Sequence, residues 1–322
     1  MAEADVLARI FPRLPESAST ILGPGDDAAV IAAPDGRFVV TTDMMVEGPD
    51  FRQEWSSPED IGFKIGAVNL ADVAAMGATP TGLVVALGAP PETHISVLEG
   101  IADGLRMACE QLAPGCGVVG GDLSSAPALT LSVTAFGDLG GREPLTRSGA
   151  QAGDVIAVAG ELGSAGMGLE LLFATENADE VETIKQSALV ATQLRPRPPI
   201  ALGVSASTMG ATAAMDVSDG LVLDASRMAK ASGVSMVFDE LGIARAAASI
   251  AGEALKRGFS DEDIVEHVLY SGESHALLVT FPADQVPPLG FTPIGFVIEK
   301  AAEPIYFGNR PLAVRGWNPF SY

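Results

Sequence analysis

Residues 57 to 77 read SPEDIGFKIGAVNLADVAAMG, and this stretch predicts the first long helix of the chain. Ser57 can cap the amino end, Pro58 suits the first helical position, and Asp60 stands three residues after the cap. Gly77 is a natural stop, because glycine readily adopts the backbone conformation that ends many helices. The stretch therefore predicts a helix with a defined start and end.

The predicted helix carries an apolar face and a polar pair. Asn69 and Asp72 are three residues apart, so they share one face near the carboxyl end. The inward positions are Ile61, Ile65, Val68 and Val73. After the helix, residues 83–87 form an apolar run that is typical of a buried strand. The sequence therefore predicts a helix followed by a buried strand, with polar oxygen atoms near the carboxyl end of the helix.

Asp72 belongs to a set of five short acidic motifs, each next to glycine, a small residue or the end of an apolar run. Any one of them alone is ordinary turn chemistry, since Asp-Gly is common in loops. Together they supply many carboxylate oxygens, which suit Mg²⁺, an ion that bridges to substrate phosphates. The motifs are Gly25-Asp26-Asp27, Thr41-Thr42-Asp43, Asn69-Leu70-Ala71-Asp72, Gly120-Gly121-Asp122 and Asp216-Val217-Ser218-Asp219-Gly220. The joint pattern predicts a site for several hard cations and a polyphosphate.

Length, composition and charge narrow the class of protein. A chain of 322 residues fits two domains better than one compact core. Aromatic residues make up only 6% while glycines number 36, which predicts packing through small side chains. The formal net charge of −22 argues against a nucleic-acid or anionic-membrane surface, because nothing would offset phosphate repulsion. An acidic protein needs metal ions to bind an anionic substrate; the alternative is that the acidity only confers solubility.

The sequence predicts neither membrane insertion nor secretion. The longest uncharged stretch, residues 73–91, is interrupted by glycines and by Pro80, so it does not predict a transmembrane helix. The amino terminus lacks the basic region of a signal peptide. Cys109 and Cys116 do not make a disulfide framework or a metal-type spacing. We expect a cytoplasmic protein.

Helix and strand patterns are interspersed without strict βαβ regularity, which predicts the α+β class. Further helices are predicted at 4–14, 95–112 and after 220, and further strands at 28–32, 38–42, 129–136, 155–159, 213–217 and 276–281. The strand at 38–42 would deliver Asp43 at its end, and Val118 and Val119 would lead into Gly120-Gly121-Asp122. Gly140-Gly141 followed by Pro144 indicates a boundary. We expect two domains, residues 1–143 and residues 144–322.

Several familiar nucleotide-binding signatures are absent. The sequence contains no Gly-Lys dipeptide and hence no P-loop, and neither His-Arg-Asp nor Asp-Phe-Gly occurs. Gly160, Gly163, Gly166 and Gly168 follow a predicted strand, but their spacing does not match Gly-x-Gly-x-x-Gly. A tight strand-to-helix turn, or a phosphate contact of another kind, is favoured over a dinucleotide site.

The acidic motifs, taken with their neighbours, make the chain resemble the thiamine-monophosphate kinases. That family belongs to the ATP-binding superfamily of aminoimidazole ribonucleotide synthetase and selenophosphate synthetase. The resemblance covers roughly residues 5–320, and its motifs occur in family order. They are Gly23-Pro-Gly-Asp-Asp27, Thr42-Asp-Met-Met-Val-Glu-Gly48, Lys64 through Asn69-Leu-Ala-Asp-Val-Ala-Ala-Met-Gly-Ala78, Gly120-Gly-Asp122, Thr146-Arg-Ser-Gly-Ala150 and Asp216-Val-Ser-Asp-Gly220.

The resemblance implies ATP-dependent phosphorylation of thiamine phosphate to thiamine diphosphate, and it assigns roles to residues. The implied Mg²⁺ ligands are Asp27, Thr41, Thr42, Asp43, Asp72, Asp122, Asp216 and Asp219. The implied ATP contacts are Gly121, Asp122, Arg147 and Ser218, of which Arg147 and Asp122, with Asp219, would act in catalysis. Asp50, Glu273 and Trp317 would lie on the thiamine-phosphate side. A requirement for K⁺ is left open.

The resemblance also implies a quaternary structure. The amino-terminal domains, each a mixed sheet with helices, would pair into a homodimer whose sheets form a shared barrel. The carboxyl-terminal domain would be an α/β sandwich-like domain that completes the nucleotide and substrate site. We expect ATP and thiamine phosphate as small-molecule partners, and neither nucleic acid nor membrane.

Two departures from the family pattern lie near the implied substrate residues. The family usually has His-Phe where this chain has Asp50-Phe51, and Gly-Gly-Glu-Asp where it has Ser271-Gly272-Glu273-Ser274. The metal-binding acids are intact, so the departures bear on substrate contacts rather than on the chemistry. Trp317 would stack on thiamine or cap the core.

The chemistry of the implied reaction predicts direct transfer. A phosphate monoester has a second pKa of about 6, so the attacking oxygen is already anionic at neutral pH and requires no general base. Catalysis would then consist of positioning and electrostatics, with Arg147 taking part of the transferring charge. Two alternatives remain: a superfamily enzyme that activates an amide or carbonyl oxygen with ATP, and a catalytically silent nucleotide-binding subunit.

Overall fold

A computed structural model describes residues 9–22 and 30–317. The strands are β1 (Thr20–Leu22), β2 (Val30–Ile31), β3 (Val39–Val46), β4 (Thr79–Ala89), β5 (Gly117–Ser125), β6 (Thr130–Asp138), β7 (Val155–Ala159), β8 (Ala213–Val217), β9 (Ser235–Phe238), β10 (Ala276–Phe281), β11 (Thr292–Ile298), β12 (Ile305–Phe307) and β13 (Arg310–Pro311). The helices are α1 (Pro58–Ala75), α2 (Ile95–Leu112), α3 (Ser164–Phe173), α4 (Ala178–Ile184), α5 (Ala188–Leu194), α6 (Ile200–Thr208), α7 (Leu221–Ser232), α8 (Glu240–Lys256) and α9 (Asp261–Tyr270), with a 3₁₀ turn at Phe11–Arg13.

Contacts divide the chain into two compact units. Unit 1 contains the described residues up to Ala74 together with Ala78–Gly141, and unit 2 contains Ala75–Gly77 and the described residues from Arg142 onward. Unit 1 holds a four-stranded sheet of order β3-β6-β4-β5, and unit 2 a seven-stranded sheet of order β13-β12-β9-β11-β7-β10-β8. Mixed sheets with helices in both units confirm the α+β class.

The start of α1 follows the sequence signal closely. The hydroxyl of Ser57 accepts a hydrogen bond from the backbone N–H of Asp60 (3.2 Å), and the Asp60 carboxylate accepts one from the backbone N–H of Ser57 (2.9 Å). This reciprocal capping satisfies two amide donors that a helix end leaves unpaired. The predicted start of the helix is therefore confirmed.

Two strand predictions of unit 1 need correction. β3 pairs with β6 over Val39–Val46, so Asp43 lies in the middle of a strand and not at its end. Gly120-Gly121-Asp122 lies within β5, which pairs in parallel with β4, and not in a loop after a strand. Acidic and glycine residues favour loops locally, but the ladder hydrogen bonds of a sheet override that preference.

Small residues allow α1 and α2 to cross at close range. A Cβ at Gly62 would come 2.0 Å from the backbone oxygen of Ile101, and a Cβ at Gly104 would come 2.2 Å from that of Glu59. Neither approach is possible for any other residue without displacing a backbone. The predicted packing through small side chains therefore appears where the two long helices of unit 1 meet.

Unit 2 is built around the central strands of its sheet and three helices. β10 lies between β7 and β8 in antiparallel register, and all six of its residues are buried. The apolar faces of α7, α8 and α9 pack into the same core, including Met228, Ile250 and Val268. This core fixes the end of β8, where Asp216 lies.

None of the helices within residues 9–22 and 30–317 combines the length and apolar character that a membrane span requires. Cys109 and Cys116 are both free and buried.

Gly104→Ala should destabilise the protein by about 1–3 kcal/mol, since the added methyl overpacks the contact of α2 with Glu59. The matched control is Gly252→Ala in α8, where a Cβ meets nothing within 4 Å. That change should raise stability by up to about 1 kcal/mol through helix propensity. Urea unfolding of both variants measures the effects, and equal stabilities would contradict the close helix crossing.

Candidate active site

In unit 1, several of the predicted metal residues meet where β3 faces the end of α1. The Thr41 hydroxyl donates a hydrogen bond to the Asp72 carboxylate (2.8 Å), and the backbone N–H of Asp43 donates one to the side-chain oxygen of Asn69 (3.2 Å). Asn69 is fully buried, and its amide nitrogen donates to the Ile65 carbonyl (2.9 Å). Thr41, Asp43 and Asp72 thus form one oxygen-rich group.

Thr42 and Asp122 lie on the other face of the same sheet. The row that starts at Asp43 runs through Val133 and Val85 to Gly121, so Asp122 belongs to the neighbouring row. Successive side chains of a strand point to opposite faces, and three strand spacings of about 4.8 Å separate the outer strands by about 14 Å. Within unit 1, Asp43 and Asp122 therefore lie on opposite faces and at opposite edges of the sheet.

Asp27 lies outside the described residues. Asp50 lies in the turn after β3, where its carboxylate accepts a hydrogen bond from the backbone N–H of Val46 (2.8 Å). The backbone N–H of Asp50 donates in return to the Val46 carbonyl (3.1 Å). The carboxylate of Asp50 thus has a structural role in closing this turn.

A small apolar cleft lies beside Gly120-Gly121-Asp122 in unit 1. Its lining consists of Ile10, Phe11, Leu14, Val85, Leu87, Leu98, Ile101, Ala102, Leu105, Val118, Gly120, Gly121, Asp122 and Leu123. A Cβ at Gly121 would come 2.2 Å from the backbone oxygen of Val85, whereas one at Gly120 would meet nothing within 4 Å. Gly121 is therefore required for strand packing, and Gly120 leaves open space beside the strand.

In unit 2, the loop after β8 is the meeting point of three segments that are far apart in sequence. The backbone N–H of Glu273 donates to the Ser218 carbonyl (2.7 Å), and that of His275 donates to the Val217 carbonyl (2.8 Å). Glu273 and His275 both have positive φ, at 62° and 46°. Such backbone is uncommon outside glycine and is held here by its hydrogen bonds.

The third segment is the carboxyl-terminal stretch that contains Trp317. The backbone N–H of Trp317 donates to the Asp219 carbonyl (2.9 Å), and a Cβ at Gly316 would come 2.4 Å from that same oxygen. The Trp317 side chain is 58% exposed. The structure thus places Trp317 and Glu273 against the loop that holds Ser218 and Asp219.

Two residues that the sequence analysis did not select hold Asp219. Arg227 donates hydrogen bonds to the carboxylates of Asp219 (2.7 Å) and Asp224 (2.6 Å). Asp224 is fully buried and also accepts the backbone N–H of Asp219 (2.9 Å). Burial raises the pKa of Asp224 to about 6; the N–H of Asp219 opposes this shift, and the charges of Asp216 and Asp219 add to it.

Arg147 is exposed on a loop whose backbone is fixed. The Thr146 carbonyl accepts the N–H of Ala214 on β8 (2.9 Å), and the Arg147 carbonyl accepts the Ser232 hydroxyl (3.0 Å). The same hydroxyl accepts the N–H of Gly149 (3.2 Å). This loop therefore presents a guanidinium to solvent from an anchored backbone.

A hydrogen-bonded line of three polar side chains lies beside the 271–275 segment. The Ser271 hydroxyl and the His267 Nδ1 are 2.7 Å apart, and the His267 Nε2 lies 3.1 Å from the Glu170 carboxylate. A Cβ at Gly166 would come 2.3 Å from the Ser271 side chain, so α3 covers that hydroxyl closely. Serine in place of the family's glycine fits because residue 166 has no side chain.

Oxygen donors dominate both groups of acids, which suits Mg²⁺ and not a soft metal. Among the described residues, no three His, Cys, Asp or Glu side chains cluster closely enough to hold a metal ion together. Mg²⁺ usually takes one or two carboxylates and completes its shell with water and substrate phosphates. This coordination is compatible with both groups of oxygen donors, namely Thr41, Asp43 and Asp72 in unit 1, and Asp216 and Asp219 in unit 2.

The residues that the sequence analysis missed differ in how visible they were. Asp224 and Arg227 stand five and eight positions after Asp219, and the spacing of three between them indicates a pair on one helix face. Gln193 contacts Glu273 across 80 positions, and no local pattern could indicate that contact. The line from Ser271 to Glu170 spans about as far and is equally invisible.

Two family models match the chain. The model for AIR synthase related protein, N-terminal domain, matches residues 25–139, and the model for AIR synthase related protein, C-terminal domain, matches residues 151–285.

Whole proteins are also similar to this chain. It is 39% identical over 320 residues to the thiamine-monophosphate kinase of Mycobacterium tuberculosis (strain H37Rv), which covers 99% of this chain and 92% of that protein. The crystal structure of thiamine-monophosphate kinase from Stenotrophomonas maltophilia K279a has a TM-score of 0.79 and 33% identity, covering 97% of this chain and 98% of that one. A structure of AaThiL complexed with AMPPCP and TMP has a TM-score of 0.75 and 31% identity, covering 92% and 91%.

Proposed function

The chain belongs to the thiamine-monophosphate kinase family of the AIR synthase related proteins, and we propose that it transfers the γ-phosphoryl group of ATP to thiamine phosphate. The products are thiamine diphosphate and ADP. The observation that carries the proposal is the convergence on the loop after β8, where Ser218 and Asp219 lie against Glu273 and Trp317. A donor-side loop thereby lies next to residues assigned to the acceptor.

For the donor, we propose that ATP contacts Gly121, Asp122, Arg147 and Ser218. The cleft beside Gly120-Gly121-Asp122 is lined mainly by apolar side chains, which suits contact with one face of a purine base. Arg147 is exposed on an anchored loop, which suits a residue that takes up charge on a transferring phosphoryl group.

For the acceptor, we propose contacts with Asp50, Glu273 and Trp317. Trp317 offers an exposed ring whose backbone is fixed to Asp219, and aromatic faces attract cations such as the thiazolium ring. The acceptor phosphate attacks with an oxygen that is already ionised at neutral pH, so no side chain has to remove a proton. The residues have to align two anionic groups and neutralise the charge that builds up between them.

Mg²⁺ would supply most of that neutralisation when bound. We propose that several Mg²⁺ ions are shared among the following ligands: Asp27, Thr41, Thr42, Asp43, Asp72, Asp122, Asp216 and Asp219. Arg227 donates to the Asp219 carboxylate and Asp224 accepts the backbone N–H of Asp219, so both the side chain and the main chain of Asp219 are held before any ligand binds. Asp122 and Asp219, with Arg147, are the side chains that we propose for catalysis.

We further propose that residues 1–143 and 144–322 act as two domains and that the first domain pairs with its copy into a barrel. Among the described residues, β3 and β5 are the outer strands of the four-stranded sheet, and a strand at a sheet edge favours pairing with another chain. On the face that carries Thr42, the side chains of Val40 and Met44 are 54% and 61% exposed, and Phe38 just before β3 is 58% exposed. Closing two such sheets into one barrel would cover both edges and these apolar groups.

Purified protein incubated with ATP, Mg²⁺ and thiamine phosphate should yield thiamine diphosphate and ADP in equal amounts by ³¹P NMR. Asp219→Asn and Asp72→Asn should each lower turnover by about a hundredfold or more while the protein stays folded, because each neutralises a proposed metal ligand. Unchanged ATP, or hydrolysis to free phosphate alone, would refute the proposed acceptor.

The control for these variants is Asp284→Asn, which removes a charge at an exposed position in unit 2. It should retain full turnover. Near wild-type activity of Asp219→Asn or Asp72→Asn, with circular dichroism unchanged, would remove that residue from the metal site.

Direct transfer predicts that Ser271→Ala retains turnover, although Ser271 contacts His267 in an arrangement that resembles an activated nucleophile. The reason is that the anionic acceptor needs no covalent intermediate. The protein should carry no label after incubation with γ-labelled ATP and denaturing gel electrophoresis. A labelled band that disappears in Ser271→Ala would contradict direct transfer.

The barrel proposal predicts that light scattering gives the mass of two 33.0 kDa chains. Val40→Glu combined with Met44→Glu should give monomers, because two charges would enter the buried face. Leu289→Glu is the matched control, since Leu289 is an apolar residue of unit 2 that is 98% exposed. A monomeric wild type, or dimers of the double variant, would exclude this interface.

A further inference from the structure

Gln193 of α5 makes a hydrogen bond to Glu273 that has no role in the proposed reaction as described above. Its side-chain nitrogen Nε2 donates to Oε2 of Glu273 at 2.7 Å, across 80 positions of sequence. Gln193 is only 6% exposed, whereas Glu273 is half-buried. An ionised carboxylate only accepts hydrogen bonds, so the amide nitrogen and not the amide oxygen must face it.

That orientation leaves the other half of the amide unsatisfied. Oε1 of Gln193 is buried and has no hydrogen-bond partner among the described residues. Its neighbours Leu189, Val190 and Leu194 on the same helix are buried apolar side chains. A buried amide with an unpaired oxygen is less favourable than an apolar side chain of the same size. The unpaired oxygen is therefore a cost that methionine or leucine would not carry, and the bond to Glu273 is the contact that offsets it.

The backbone of Glu273 is fixed independently of Gln193. Positive φ and the hydrogen bond to the Ser218 carbonyl hold the main chain. Gly272 is required next to it, because a Cβ there would come 2.7 Å from that same carbonyl oxygen. The glutamate side chain has three rotatable bonds of its own, and the bond from Gln193 restricts its orientation.

We infer that Gln193 is a positioning residue that orients the Glu273 carboxylate towards the acceptor substrate. The inference rests on the proposed function, because it takes Glu273 as a contact of thiamine phosphate. Gln193 acts through Glu273 and does not touch the transferring phosphoryl group. Its buried, half-satisfied amide is retained for acceptor recognition at the expense of packing.

Gln193→Met is the decisive variant, because methionine has a similar size and cannot donate a hydrogen bond. We expect KM for thiamine phosphate to rise about tenfold, as for the loss of one hydrogen bond to a charged group. KM for ATP should not change, and the melting temperature should be equal to or above that of the wild type. Calorimetric titration with thiamine phosphate alone should show the same loss of affinity.

A double variant tests whether the effect passes through Glu273. Glu273→Ala combined with Gln193→Met should bind thiamine phosphate no more weakly than Glu273→Ala alone, since Gln193 then has nothing to orient. Gln186→Met makes the same chemical change at a nearby exposed glutamine and should behave as the wild type.

Three results would overturn the role of Gln193. They are an unchanged KM for thiamine phosphate in Gln193→Met, a rise of both KM values together with a lower melting temperature, and additive losses in the double variant. The second would show that Gln193 only supports the fold. A wild-type protein that neither binds nor phosphorylates thiamine phosphate would instead refute the proposed function, and the role of Gln193 with it.

Discussion

The backbone of residues 217–219 is the constraint on which unit 2 depends. Three consecutive carbonyls accept N–H groups from other segments: Val217 from His275, Ser218 from Glu273, and Asp219 from Trp317. At two of these contacts the incoming chain passes so close that only glycine fits beside the carbonyl, namely Gly272 and Gly316. Side chains that are far apart in sequence are therefore positioned by main-chain hydrogen bonds, which do not depend on the exact identity of the side chains. A mutation in this loop would displace several candidate functional groups at once.

The second constraint is electrostatic repulsion. The chain has a net charge of −22, and three of its carboxylates lie close together at the candidate site. Asp216, Asp219 and Asp224 repel one another, and the repulsion contributes to the raised pKa of Asp224. Arg227 offsets part of this repulsion by bonding to two of the three. Burial alone would lower the pKa of Arg227, but its bonds to these carboxylates raise it, so the guanidinium stays charged. Arg227 on α7 thus holds the Asp219 and Asp224 carboxylates close together.

Local signals in the sequence were sufficient for much of the fold. The helices 95–112 and 221–232 and the strands 155–159, 213–217 and 276–281 have simple periodicity and clear ends, and the structure confirms them. The strands β4 and β5 extend beyond their predictions, since glycine, threonine and aspartate residues within them look like loop residues. Such residues are strand residues only because neighbouring strands supply their hydrogen bonds. That information is tertiary, and no window of sequence contains it.

The candidate site likewise contains residues that local sequence patterns reveal and residues that only the tertiary structure reveals. The acids were visible from the sequence because they recur in short motifs. The pairing of Asp224 with Arg227 was visible from their spacing, but their bonds to Asp219 were not, and Gln193 acquires its role only through a partner that is distant in sequence. The assigned roles of the acids, the two-domain boundary and the dimer stay predictions.

Ser271 and Ser274, the two departures from the family pattern in this segment, belong to the residues that support the acids. Ser271 fits against Gly166 and bonds to His267, and the Ser274 hydroxyl accepts the backbone N–H of Gly163 at 3.4 Å. Ser274 thus bonds the 271–275 segment to the start of α3, and Ser271 bonds it to His267 of α9. The backbone bond from Glu273 to Ser218 does not involve either side chain. A substitution can change the side-chain contacts of a loop and leave its main-chain hydrogen bonds intact. Such a substitution does not move the backbone of the residue that carries the carboxylate. The two serine side chains therefore support the 271–275 segment, while the backbone position of Glu273 is set by a main-chain bond that does not depend on them.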